Sequence, residues 1–154
     1  MTVKDVLRIL KITSSDTIKV ALGQQPGRRI NIGKEKLEEL ARRMKAIGGR
    51  LWVPVPFTHK LAIEAPYNIL ISNIDVFLYP DTICSDLNCK APPDEPELTL
   101  IRMRNGTALL LINTDSVDAY KKIVEFLADT SYTDIRIIEG EVYVPVEPED
   151  IEEK

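Results

Sequence analysis

A chain of 154 residues with 44% apolar content is long enough to bury one sizeable core and short for two independent ones. No run of about 18 apolar residues occurs that could span a bilayer, and Lys4, Asp5, Arg8 and Lys11 stand where a secretion signal needs a neutral apolar segment. The expectation is a cytoplasmic protein with no membrane association; its two cysteines, Cys84 and Cys89, exclude a multi-disulfide scaffold.

In chain order, Thr2 with Asp5 three residues on makes a capping-box start to a helix over 3–11, with Val3, Val6, Leu7 and Leu10 on one face. Thr17 to Leu22 alternates through Ile18, Val20 and Leu22, a turn follows over Gly23 to Gly27, and Arg28 to Ile32 resumes the alternation. Leu37, Leu40, Ala41, Met44 and Ile47 recur at helical spacing before Gly48-Gly49, which predicts a helix over 34–47. Leu51 to Val55 contains a proline and reads as an edge strand or strand end. Apolar runs at 68–71 and 74–79 read as short buried strands, and the proline-rich stretch 80–97 as loop.

Two strands, 98–104 and 107–112, flank Asn105-Gly106, the signature of a type I′ hairpin turn. A helix then begins near Thr114 and carries Val117, Tyr120, Val124 and Leu127, and strands at 135–138 and 142–146 close the fold. Residues 147–154 hold five acids against Lys154 and read as a disordered acidic tail. The heptad Gly49-Arg50-Leu51-Trp52-Val53-Pro54-Val55 matches Gly140-Glu141-Val142-Tyr143-Val144-Pro145-Val146 in residue type, and each follows a strand, strand and helix. The expected fold is therefore one α+β domain over 1–146, a mostly antiparallel sheet with three helices and an internal ββαβ repeat.

The inventory argues against catalysis. A single histidine, His59, has no Ser or Cys arrangement beside it. Cys84 and Cys89 lack the further Cys or His ligands that zinc needs, and read as a free or disulfide-linked loop pair. No phosphate-loop pattern is present. No cofactor and no metal is expected. Gln is scarce beside abundant Ile and ionisable residues, a thermophile-like composition.

Charge is the better lead. The net −4 conceals residues 1–60 at +8, 13 basic against 5 acidic, and residues 61–154 at −12, 7 against 19. Residues 28–50 alone carry +5. The cations Arg28, Arg29, Lys36, Arg43 and Arg50, followed by the aromatic residues Trp52, Phe57 and His59, form the pattern that a single-stranded DNA or RNA groove uses, phosphates on cations and bases on rings. Two other functions fit the same sequence. One is an assembly module, a homo-oligomer joining basic and acidic halves; the other is a metal-dependent nuclease built on Asp75, Asp81 and Asp86.

Overall fold

Thr2 and Asp5 show how local chemistry starts an element. In the computed structural model, which describes residues 1–78, 83–85, 88–90 and 96–151, the Asp5 amide donates to Thr2 Oγ1 at 3.4 Å and the Thr2 amide donates to Asp5 Oδ2 at 2.8 Å. This reciprocal capping box satisfies amides that the first turn leaves without partners. Helix α1 (Val3–Lys11) follows and buries Val3, Val6, Leu7 and Leu10. The chain continues through β1 (Thr17–Gly23), β2 (Arg28–Gly33), a 3-10 turn at Lys34–Lys36, α2 (Leu37–Ala46) and β3 (Arg50–Pro54). Next come β4 (Leu61–Pro66), α3 (Tyr67–Ser72), α4 (Ile74–Leu78), β5 (Ile83–Ser85), β6 (Asn88–Lys90), β7 (Glu97–Arg102) and β8 (Thr107–Asn113). The chain then runs through α5 (Val117–Asp129), β9 (Arg136–Ile138), β10 (Tyr143–Val146) and α6 (Pro148–Ile151).

Contacts group these elements into two compact units, Met1–Pro56 with Gly140–Lys154, and Phe57–Glu139. The first holds a four-stranded antiparallel sheet in the order β10-β3-β1-β2. On one of its faces Ile18, Val20, Leu51, Val53, Val144 and Val146 are buried. Helix α2 packs on β3 and α1 on β10, with α6 against both helices. The second unit holds an antiparallel sheet in the order β7-β8-β4-β9. Its core gathers Leu61, Ile63, Leu70, Phe77, Leu110, Ile112 and Ile123, with the Phe77 and Phe126 rings edge to face at 5.7 Å.

The α+β class and the antiparallel pairing are as expected, with two four-stranded sheets in place of one and, among the described residues, six α-helices where three were predicted. Three differences have physical reasons. Residues 67–78, read as strands, are helices α3 and α4, because an apolar run without alternation fits either element. Side chains there close helical turns instead: the Ser72 hydroxyl donates to the Asn68 carbonyl at 2.6 Å and Asn73 Nδ2 to that of Ile69 at 2.8 Å. The Asn105-Gly106 turn is a three-residue loop, Arg104 to Gly106. Met103 N donates to Thr107 O at 3.0 Å and Gly106 N to Met103 O at 3.4 Å, with Gly106 at φ +89 in the left-handed position that such loops reserve for glycine.

The segment after β10 carries the short helix α6. Asp150 Oδ2 accepts from the Glu147 amide at 2.9 Å, Asp150 and Ile151 are each 6% exposed, and Lys45 reaches Glu147 at 3.6 Å and Glu149 at 3.3 Å. Ile151 gives the segment 147–151, read from the sequence as part of an acidic tail, an apolar anchor; residues 152–154 lie outside the described residues.

The two matching heptads pair with each other. Leu51 faces Val146, Trp52 faces Pro145, Val53 faces Val144 and Pro54 faces Tyr143, a register symmetric about the Val53 and Val144 pair. The symmetry stops there. β3 pairs with β1 of its own hairpin, whereas the hairpin β7-β8 pairs with β4 and the strand after α5 that would complete its unit, β10, joins the first sheet. A closed ββαβ unit therefore forms once.

Candidate nucleic-acid interface

Strand register selects which side chains share a surface. Arg29 faces Ala21, Ala21 faces Trp52 and Trp52 faces Pro145, so one row crosses all four strands of the first sheet. Lys19 faces Asn31, Arg50 faces Gly23 and Tyr143 faces Pro54 with the same parity. Because successive side chains alternate between faces, Lys19, Arg29, Asn31, Arg50, Trp52 and Tyr143 occupy the face opposite the buried Ile18, Val20, Leu51 and Val53.

These groups are linked. The Arg29 guanidinium lies 5.5 Å from the Tyr143 ring centroid, within cation–π range. Since β2 and β10 are the outer strands, the two side chains together reach across β1 and β3, and Ala21 on this face is buried. Glu141, in the short segment after Gly140 (φ +83), receives three donors. Lys19 Nζ lies 3.3 Å from Oε1, Arg29 Nη1 3.4 Å from Oε2, and the Tyr143 hydroxyl donates to Oε2 at 3.0 Å. The hydrogen bond from Tyr143, followed by that from Lys19, holds the Glu141 carboxyl below its ordinary range. Burial, then donation to Glu141, pushes the Tyr143 hydroxyl up. Trp52 is half-buried and its indole N–H donates to the Gly23 carbonyl at 3.2 Å, which fixes the plane of the ring.

Of the residues singled out in the sequence, Arg29, Arg50 and Trp52 come together on this face. Arg28 stands beside Arg29 with opposite parity, facing Leu22. Lys36 ends the 3-10 turn and Arg43 lies on α2, 74% exposed and paired with Glu39 at 2.7 Å, so both belong to the helical layer. Phe57 and His59 belong to the second unit, where the Phe57 carbonyl lies 3.1 Å from His59 Nδ1. Lys19, Tyr143 and Glu141 were missed. The alternation of Ile18 and Val20 around Lys19 carried the signal for the first, and the equivalence of Tyr143 to Trp52 in the paired heptads carried it for the second.

Asp75 is exposed on α4, while Asp81 and Asp86 lie outside the described residues. Among the described residues no three His, Cys, Asp or Glu side chains converge as metal ligands, and no helix is long and apolar enough to cross a membrane. Backbone pairing of β5 with β6 places Cys84 opposite Cys89. A cavity of about 370 Å³ in the second unit is lined by Lys60, Thr114, Asp115, Ser116, Val117 and Tyr120, with no cluster of cations. No protein-family model, curated protein or solved structure matches this chain.

Proposed function

We propose that the chain binds single-stranded DNA or RNA, without catalysis, on the strand face that carries Lys19, Arg29, Arg50 and Trp52. The observation that supports it most is the register row in which Arg29 and Trp52 flank Ala21, with Arg50 and Lys19 of the same parity on either side. Cations from three different strands share this face as donors for a phosphate backbone, and planar groups beside them offer stacking surfaces: the Trp52 indole and the Arg29 guanidinium already laid on Tyr143. Lys36 and Arg43 take no direct part in this reading, since their layer lies behind the sheet.

Electrostatics favours a local mechanism over long-range attraction. Segment 140–154 returns to the basic unit, so that unit holds 13 basic against 11 acidic side chains, a net +2, and the second unit holds 7 against 13, a net −6. The +8 of the first 60 residues is thus largely compensated within its own unit. The same compensation weakens the case for assembly of copies through opposite charge. Titration of labelled single-stranded and duplex oligonucleotides at two salt concentrations tests the proposal. Preference for the single strand, with Arg29→Ala lowering the log–log salt slope by roughly 0.7, is expected; equal duplex affinity, or an Arg29→Ala variant that binds like the wild type, would overturn it.

A further inference from the structure

Three donors from different parts of the first unit converge on one carboxylate: Lys19 of β1, Arg29 of β2 and Tyr143 of β10, all on Glu141 within 3.0–3.4 Å. Two cations and a phenolic O–H around one anionic oxygen pair are also the donor set that a backbone phosphate attracts. On the reading of the face as a nucleic-acid surface, we infer that Lys19, Arg29 and Tyr143 form a phosphodiester-binding site whose resident occupant is the Glu141 carboxylate, displaced when the phosphate of a single strand arrives.

The occupant is placed to leave and the donors to stay. Glu141 has a side chain 50% exposed, precedes the pairing region of β10, and follows Gly140 at φ +83. Its ion pairs with Lys19 and Arg29, themselves 44% and 48% exposed, are of the weak, solvent-screened kind. Tyr143 is 7% exposed and paired in the sheet, and Arg29 rests on its ring, so the donor array persists without the carboxylate. A glutamate is ionised at neutral pH, and the Tyr143 and Lys19 hydrogen bonds favour the ionised form further, which makes the contest one between two anions for the same donors. Two consequences follow. Affinity is lowered by the contacts that Glu141 gives up, and fewer counterions are released on binding, because the carboxylate offsets one of the two positive charges of Lys19 and Arg29.

Glu141→Gln removes the charge while keeping an oxygen for the Tyr143 hydroxyl, and the half-exposed position allows folding, checked by near-ultraviolet circular dichroism. The full chain and the variant are titrated with labelled oligo(dT) across a salt series, and with inorganic pyrophosphate followed by nuclear magnetic resonance. The expected result is oligo(dT) binding about two- to ten-fold tighter in Glu141→Gln at low salt, with a slope steeper by roughly 0.7 for the one positive charge freed. If oligo(dT) binds neither protein while pyrophosphate binds the variant more tightly, the displaced-carboxylate site stands and the nucleic-acid reading falls. If neither probe gains affinity in the variant, the inference is overturned whatever the wild type binds.

Discussion

Strands β1 and β8 teach opposite lessons. In β1, exposed Lys19 stands between buried Ile18 and Val20, whereas β8 buries Ala108, Leu109, Leu110, Leu111 and Ile112 in succession, each at most 1% exposed. A half-buried strand has one face for the core and one for chemistry; a strand buried on both faces serves packing alone. The first unit's sheet carries the cations and rings, and the middle of the second unit's sheet carries the apolar core.

The largest expected effect lies in β8. Leu110→Ala, at a fully buried site in the second unit's core, is expected to cost about 2–5 kcal/mol of stability, read from the denaturant midpoint; a loss under about 1 kcal/mol would mean that β8 is less tightly packed than its burial implies. Trp52→Ala is expected to act on both scales. Oligonucleotide affinity should fall by about 1–3 kcal/mol if a base stacks on the indole, and unfolding measured on the same sample separates that loss from the loss of the Gly23 hydrogen bond. Thr2→Ala, which removes the capping hydroxyl of α1, should lower stability by about 0.5–2 kcal/mol and leave binding unchanged.

Acid sensitivity gives a smaller contrast. The Glu141 carboxyl is held below its ordinary value of 4.5 and that of Asp5 below 3.8, the latter chiefly by the backbone and side-chain hydrogen bonds of Thr2. Groups with lowered folded values contribute stability that is complete above their ordinary values and is lost as pH falls through the lowered ones. Midpoints measured from pH 7 to pH 2 should therefore drop less steeply in Glu141→Gln and Asp5→Asn than in the wild type. Parallel curves would show that these contacts contribute nothing to folding.

How much was legible follows the same divide. Alternation made β1 and β2 readable, helical spacing made α2 and α5 readable, and the Thr2 and Asp5 pair marked the start of α1, because in each case a local rule agreed with the final environment. β4, the strand paired with both β8 and β9, was invisible. Leu61, Ala62, Ile63 and Ala65 are all buried, so no alternation sets it apart. Apolar runs in α3 and α4 failed for the related reason that Ile and Phe fit a buried strand as well as a short helix. At the candidate site, sequence clustering favoured neighbours along the chain, Lys36 and Arg43 with Arg29, whereas the sheet assembled Lys19, Arg29 and Tyr143 from positions more than 100 residues apart at the extremes. Long-range pairing of β3 with β10 made that possible, and only the repeated heptads hinted at it.

The central claim is that the sheet face, and not the helical layer, meets the nucleic acid. Its most direct test compares two double variants in single-stranded oligonucleotide titrations over a salt series: Arg29→Ala with Arg50→Ala on the face, and Lys36→Ala with Arg43→Ala behind it. The account predicts that the first pair lowers affinity and reduces the log–log slope by roughly 1.4, at about 0.7 per lost phosphate contact, while the second leaves both near wild type. Loss of binding in the helical pair with the face pair unaffected would contradict it.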